Sequence, residues 1–135
     1  MTVDARAAFP TFGTQSLHFR GHAVGSRGNV PDSRYAYLGG SGTFAVVDVL
    51  ALGGDRLLYV ESRYVYPLEQ LKLPFIGVPV FSARDAIGSA GIGTLPSLEH
   101  EVGFGLGLSI VQFDFNTDVT HHRGSKLGFG ISLTL

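Results

Sequence analysis

The C-terminal third of the chain alternates apolar and polar residues with a period of two. Three successive segments show this alternation, and each is about as long as a tilted strand that crosses a membrane. In residues 101–110 the apolar positions are Val102, Phe104, Leu106, Leu108 and Ile110, set against Glu101, Gly103, Gly105, Gly107 and Ser109. In residues 111–119 they are Val111, Phe113, Phe115 and Val119, set against Gln112, Asp114, Asn116 and Asp118. In residues 127–135 they are Leu127, Phe129, Ile131, Leu133 and Leu135, set against Gly128, Gly130, Ser132 and Thr134. The pattern predicts three β-strands, each with one apolar face.

The connections between these segments favour antiparallel neighbours. The apolar positions change from even to odd numbers between Ile110 and Val111, as a tight turn or bulge between antiparallel strands would produce. Residues 121–125 form the other connection, in which Gly124 supplies turn flexibility. The C-terminal strands are therefore expected to follow one another up and down.

Three further strands are predicted upstream, at residues 56–66, 78–88 and 15–24. The first places Leu58, Val60, Tyr64 and Tyr66 on one face and Tyr59, Glu61, Arg63 and Val65 on the other. In the second, Arg84 and Asp85 fall on opposite faces, and in the third Leu17 and Phe19 alternate with His18, Arg20 and His22. The fold class is thus all-β, an antiparallel up-and-down meander of about six strands. A long connection, residues 25–55, is expected to be a functional loop, and its apolar run Phe44 to Leu52 fits a hairpin, a plug element or a short helix.

The composition of the two strand faces indicates which one meets solvent. A soluble sheet buries its bulky face and shows water Lys, Glu and Thr, whereas the polar face here is mostly Gly, Ser, Asn and Asp. Small polar residues facing a lumen and bulky residues facing lipid are typical of a transmembrane barrel. The residues expected to face lipid are Val102, Phe104, Leu106, Leu108, Phe113, Phe115, Leu127, Phe129, Ile131 and Leu133. The polar residues expected to face the lumen are Arg20, Glu61, Arg63, Asp85, Asp114 and Asp118.

Length, charge and composition narrow the class further. The 135 residues fit one domain at most, and a net charge of -1 disfavours nucleic-acid binding. No cysteine is present, which removes disulfides and thiolate zinc sites, and no run approaches the roughly 18 apolar residues of a spanning helix. Residues 1–10 lack the apolar region of a signal peptide. We therefore expect a piece of a longer barrel whose upstream strands lie elsewhere.

No group of residues indicates an enzyme. His18, His22 and the pair His121 and His122 fit solvated lumen or turn positions better than a metal site. Asp114 and Asp118 share a strand face without an accompanying nucleophile or base, so pore lining explains them. The alternating glycines of residues 103–107 precede no helix, which argues against a phosphate-binding loop. No cofactor, metal or catalytic residue is expected.

Several short motifs, in their order along the chain, suggest a family. They are Leu38 to Thr43, Gly54 with Asp55, Glu61 to Arg63 ahead of Pro67 and Leu68, and the three alternating C-terminal strands. Together they resemble the bacterial surface antigen family, outer-membrane barrels of the BamA and TamA type. The resemblance implies that residues 1–135 are a partial barrel domain in the bacterial outer membrane, with a long loop at 25–55 and the C-terminal strands at 56–135.

The resemblance also implies a contact between loop and wall. In the family a loop arginine enters the lumen and pairs with acidic wall residues, whereas this chain has Phe44 to Val47 at the corresponding place. Residues 19–22 offer an alternative match. Glu61 and Asp85 stand where the acidic partners are expected, which predicts a link to Arg20 or Arg63. The chain ends in Leu135 where many such barrels end in Phe.

Three functions are compatible with the sequence. By the resemblance, the chain acts in outer-membrane protein insertion, secretion or anchoring, with Lys126 to Leu135 as half of a weak barrel seam. Its partners would be membrane lipid, the remaining barrel strands from upstream sequence or other chains, and unfolded client proteins. A passive pore or an oligomeric membrane β-protein is the second possibility. A soluble β-barrel that binds a hydrophobic ligand is the third, and it requires Phe104, Phe113 and Phe129 to point inward.

Overall fold

The protein is an all-β chain built around one antiparallel sheet. The computed structural model describes residues 1–26, 31–40, 42–74, 77–108 and 111–131. Its strands are β1 (Thr2–Pro10), β2 (Ser16–Gly25), β3 (Ala36–Leu38), β4 (Leu52–Gly54), β5 (Arg56–Pro67), β6 (Val80–Gly91), β7 (Glu99–Leu108), β8 (Val111–Asp118) and β9 (Ser125–Ile131). Two single-turn 3₁₀ helices lie at Asp32–Arg34 and Glu69–Leu71. Across the described ranges, no helix is both long and apolar enough to span a membrane.

Seven strands form the main sheet in the order β1-β2-β5-β6-β7-β8-β9, and every neighbouring pair is antiparallel. The prediction of an all-β antiparallel meander is confirmed. The sheet is not closed into a barrel, because within the described part of the chain β1 pairs only with β2 and β9 only with β8. The excursion between β2 and β5 carries β3 and β4, which pair with each other.

The sheet has one strand more than the sequence analysis anticipated. β1 was not predicted, because Ala5, Ala7 and Ala8 give its alternation little contrast and alanine is a weak strand former. The predicted change of parity near residue 110 is consistent with the register, since Phe104 lies opposite Phe115. Residues 109 and 110 themselves lie outside the described ranges.

The register divides the main sheet into two faces of opposite character. The apolar face carries, from β2 to β9, Leu17, Phe19, Leu58, Val60, Phe81, Ile87, Val102, Phe104, Leu106, Phe113, Phe115, Leu127 and Phe129. The polar face carries Asp4, Arg6, His18, Arg20, His22, Tyr59, Glu61, Arg63, Arg84, Glu99, Glu101, Asp114, Asn116, Asp118 and Lys126.

The buried core lies on the polar face, where the excursion covers one end of the sheet. It consists of Leu38, Phe44, Val47, Leu57, Tyr59, Ala86 and Ala90. Residues 44–51, within the run that the sequence left open, contain no helix and belong to the irregular tip between β3 and β4. We call residues 36–40 and 42–54 the docked loop, because they pack against the sheet.

Candidate functional site

Arg84 is the centre of a network of charges on the polar face. Its guanidinium pairs with Glu61 on β5 (Nε to Oε2, 3.0 Å) and with Glu101 on β7 (Nη1 to Oε1, 2.6 Å). The side chains of Arg84, Glu61 and Glu101 are 9%, 12% and 2% exposed. Nη1 also donates to Oδ1 of Asn116 on β8 at 3.1 Å. Charges this far from water are tolerated only when they are paired and hydrogen-bonded, and here they are.

The same network holds the main chain of the docked loop. Nη2 of Arg84 donates to the carbonyl of Thr43. The carboxylate of Glu101 accepts the backbone N–H groups of Ala45 at 3.0 Å and Val46 at 2.7 Å. Phe44, between Thr43 and Ala45 in the chain, is 1% exposed and meets the ring of Tyr59 edge-on, with ring centroids 5.5 Å apart. Polar and apolar contacts therefore fix the loop at one place.

Small residues on the polar face make room for this arrangement. In the row across the sheet, Arg84 on β6 lies opposite Gly103 on β7, which lies opposite Asn116 on β8. A Cβ atom at Gly103 would overlap the side-chain amide of Asn116. The glycine thus leaves the space in which Arg84 reaches Asn116, and this gives a physical reason for a glycine at position 103 of β7.

A second group of basic side chains lies on the same face, over β1, β2 and β5. Arg6 lies directly opposite Arg20, and His18 lies directly opposite Arg63. These four residues line a groove of about 700 Å³ together with Glu61. Arg20 also donates from Nη1 to the carbonyl of Gly42 at 3.1 Å, so the groove adjoins the docked loop. We call it the cationic groove.

A third group lies at the rim of the sheet, where β8 turns into β9. Glu99, Asp118 and His121 each offer one potential metal ligand, and these atoms lie within 4.8 Å of one another. The guanidinium of Arg123 approaches Glu99 at 3.1 Å and Asp118 at 3.8 Å. Asp118 also accepts backbone N–H groups from Thr120, His121 and Arg123. A cation would have to displace Arg123, so the group serves as a turn-stabilising cluster in this structure.

Five of the six polar residues predicted to share a face do so. Arg20, Glu61, Arg63, Asp114 and Asp118 all lie on the polar face. Asp85 does not, and its assignment is corrected here. It shares the apolar face with Phe81 and Ile87, and its carboxylate meets Nε2 of His100 at 2.5 Å. The prediction followed the family's acidic position and not the parity of β6, which puts Arg84 on the polar face and Asp85 on the apolar face.

The predicted link between Glu61 and an arginine has a different main partner. Arg63 does approach Glu61, at 3.4 Å, but Arg84 is closer, at 3.0 Å, and makes four further bonds, to Glu101, Asn116, Tyr59 and the carbonyl of Thr43. Within the described part of the chain, Arg20 makes no ion pair with Glu61, although the two residues are opposite in the register. The sheet itself therefore supplies the arginine, and the docked loop supplies carbonyl and N–H groups.

The residues predicted to contact lipid lie together on the apolar face. This holds for Val102, Phe104, Leu106, Leu108, Phe113, Phe115, Leu127 and Phe129. Ile131 is the last residue of β9, and Leu133 lies outside the described residues. Phe104, Phe113 and Phe129 are 53%, 46% and 64% exposed. These three rings therefore do not converge on a closed core, as an inward-facing ligand cavity would require.

The centre of the network was missed at the sequence level. Arg84 and Tyr59 were assigned to strands without a role, and Glu101 and Asn116 were noted only as polar positions of alternating segments. The signal that identifies them is parity: Arg84 falls opposite the face of Phe81 and Ile87, as Glu101 falls opposite the face of Val102. Comparison with protein-family models, curated proteins and solved structures finds no match in any of the three. The resemblance to the bacterial surface antigen family stays a prediction.

Proposed function

We propose that this chain forms part of the wall of an outer-membrane β-barrel. In this proposal the apolar face contacts lipid, the polar face lines the lumen, and the docked loop folds into the lumen. The role is physical and not catalytic. By its resemblance to the surface antigen barrels, the chain would serve in outer-membrane protein insertion, in secretion or in anchoring of a passenger domain, with unfolded outer-membrane proteins as candidate clients.

The observation that carries the proposal is the reversal of the two faces relative to a soluble sheet. Bulky side chains on β2, β5, β6, β7, β8 and β9 stand exposed on one face, while the buried core and the charged network lie on the other. Exposing apolar surface to water costs about 25 cal/mol per Å². Soluble monomers rarely carry a contiguous apolar patch of this extent, whereas lipid is the natural solvent for it.

The edges of the sheet define what else the barrel needs. In hydrocarbon, each unpaired backbone N–H or C=O costs several kcal/mol, so the free edges of β1 and β9 must be paired by further strands. Seven antiparallel strands leave β1 and β9 running in the same direction. An odd number of further strands would therefore close the sheet with antiparallel neighbours throughout.

A pore assembled from several copies of the chain is the second candidate, and the two free edges favour it. Joining β9 of one copy to β1 of the next would give a parallel seam, which is unlike the antiparallel neighbours of bacterial outer-membrane barrels. Counting subunits by mass measurement of the detergent-solubilised protein separates the two. A closed ring of several chains would support the pore, and a single chain would support strands supplied by adjoining sequence.

Lipid contact on one face is tested with single tryptophan residues, because the chain has no tryptophan of its own. Phe113→Trp places the indole on the apolar face, and Gln112→Trp, one residue away, places it on the polar face. The full chain is refolded into phosphatidylcholine vesicles with and without brominated acyl chains. We expect bromine to quench the fluorescence of Phe113→Trp strongly and that of Gln112→Trp weakly.

Two results would contradict the proposed contact between the apolar face and lipid. Equal quenching in both variants would contradict a two-faced wall. A protein that stays out of the vesicles, with blue-shifted emission from Phe113→Trp in water, would indicate a soluble barrel with that face inside.

A further inference from the structure

The cationic groove carries positive charge that the protein itself does not balance. Across β1 and β2, Arg6 faces Arg20, and across β2 and β5, His18 faces Arg63. Two arginines directly opposite each other on neighbouring strands destabilise a sheet, because their like charges repel. Within the described ranges, no carboxylate oxygen lies within 4.0 Å of the guanidinium of Arg6 or Arg20. An arrangement of this kind favours an anion that bridges the two sides.

The acidic residues near the groove are already engaged. Glu61 lines the groove, but its Oε2 pairs with Arg84 at 3.0 Å and accepts the hydroxyl of Tyr59 at 2.6 Å, while Oε1 meets Arg63 at 3.4 Å. Asp4, further along β1, meets Nδ1 of His22 at 2.6 Å. Asp114 lines a neighbouring pocket together with Arg63, and its carboxylate accepts the side-chain amide of Gln112 at 2.9 Å. Arg6 and Arg20 are therefore left for a partner that is not a side chain of the groove.

The shape and chemistry of the groove select the class of that partner. A volume of about 700 Å³ is within the range of sites that hold small solutes. A guanidinium offers a planar fork of N–H donors that matches phosphate oxygens two at a time. We propose that the cationic groove binds a multiply charged phosphate-class oxyanion between Arg6 and Arg20. The proposal deepens the barrel-wall function, because in that setting the groove lines the lumen and meets solutes that pass through it.

Pyrophosphate is the probe for a direct test. Titration calorimetry on the full chain in non-ionic detergent compares the unchanged protein with Arg6→Gln and Arg20→Gln. We expect each substitution to weaken pyrophosphate binding by about tenfold or more, since each removes a charge-assisted hydrogen-bond donor. The matched control is Arg56→Gln, which removes an exposed arginine from the other face of β5 and is expected to change the affinity by less than about twofold. Arg20→Lys keeps the charge without the fork and should fall between the unchanged protein and Arg20→Gln.

The phosphate group can belong to a soluble ester or to a lipid headgroup, and a second measurement separates these sources. Association with phosphatidylcholine vesicles is compared with and without phosphatidylglycerol, for the unchanged protein and for Arg20→Gln. A pyrophosphate affinity that depends on Arg20, with no such dependence on the anionic lipid, assigns the site to a soluble ligand. Dependence of both measurements on Arg20 assigns it to phosphate groups from either source.

Two results would overturn the inference. One is no detectable pyrophosphate binding by the unchanged protein at low salt, given a far-ultraviolet spectrum typical of β-structure. The other is an equal loss in Arg56→Gln and Arg20→Gln, which indicates diffuse charge attraction without a site. Neither result touches the fluorescence quenching of Phe113→Trp, so failure of the groove and failure of the barrel wall are distinguishable.

Discussion

Arg84 and Arg20 lie on the same face of the sheet with only β5 between them, yet their surroundings differ sharply. Arg84 is 9% exposed and is held by two carboxylates, an amide and a backbone carbonyl. Arg20 is half-buried, donates to the carbonyl of Gly42 and faces another arginine across the strand pair. The guanidinium of Arg84 is therefore bound entirely within the protein, whereas that of Arg20 is available to a ligand from outside.

The comparison shows that a polar sheet face is not one functional surface. Arg84 pairs with both Glu61 and Glu101 on its neighbouring strands, so these charges are neutralised and the network organises the docked loop. Glu61 also lies opposite Arg20, but its oxygens are engaged by Arg84, Tyr59 and Arg63. Where basic residues follow one another, as Arg6 and Arg20 do, the charge remains available to a ligand. The same residue type is therefore structural on β6 and a candidate binding group on β2.

The largest expected effect on stability comes from substitution of Arg84. Arg84→Met leaves Glu61 and Glu101 buried without their main partner, and removing one member of a buried ion pair typically costs about 3–5 kcal/mol. We expect the urea midpoint of the detergent-solubilised protein, followed by circular dichroism, to fall accordingly. Arg20→Met serves as the control on the same face and should change the midpoint far less. Equal shifts in the two variants would remove the distinction between the two arginines.

A somewhat smaller effect is expected from the apolar part of the same contact. Phe44 is 1% exposed and packs on Tyr59, so Phe44→Ala should destabilise the protein by about 3 kcal/mol through lost burial and a cavity. Phe12→Ala is the matched control, because Phe12 is 81% exposed in the β1–β2 connection. The urea midpoint measures both. An unchanged midpoint in Phe44→Ala would mean that the polar network alone holds the docked loop.

Particular strands and residues show how much of the fold the sequence predicts. β7 and β8 were predictable, because bulky apolar residues alternate with small or polar residues, and the register places the apolar positions of both strands on one face. β1 was not, because alanine at three of its positions erases the contrast. Asp85 was placed on the wrong face, because a family position was followed where the parity of Phe81 and Ile87 pointed the other way.

The sequence could not predict where the docked loop contacts the sheet, for a different reason. Ala45 and Glu101 are 56 positions apart, and the bond between them exists only because β5, β6 and β7 pair in one register. Local patterning predicts each strand but contains no information on which segment crosses its face. The charged residues were visible in the sequence, whereas their partners depended on the order of the whole sheet.

A third effect concerns the two N–H groups held by Glu101. Glu101→Gln keeps the shape but replaces one carboxylate oxygen with an NH₂ group, so either Ala45 or Val46 loses its acceptor. The expected cost is about 2 kcal/mol, with faster hydrogen exchange at those two backbone amides. Asp114→Asn is the control on the same face, because Asp114 bonds only the side chain of Gln112 among the described residues. Unchanged exchange at Ala45 and Val46 would argue against a role for Glu101 in holding the loop.

The smallest effect on stability is expected from substitution of Arg20 in the cationic groove. Arg20→Gln loses one bond to Gly42 but relieves the repulsion from Arg6, so its stability should differ from that of the unchanged protein by less than about 1 kcal/mol. The sign of this difference in stability depends on the salt concentration. At low ionic strength the repulsion is strongest, and added sodium chloride should raise the urea midpoint of the unchanged protein because it screens the two guanidinium groups from each other. In Arg20→Gln this rise should be smaller, since one of the two charges is gone. Parallel salt curves for the two proteins would show that Arg6 and Arg20 do not repel each other, and the surplus charge that distinguishes the groove from the Arg84 network would then be absent.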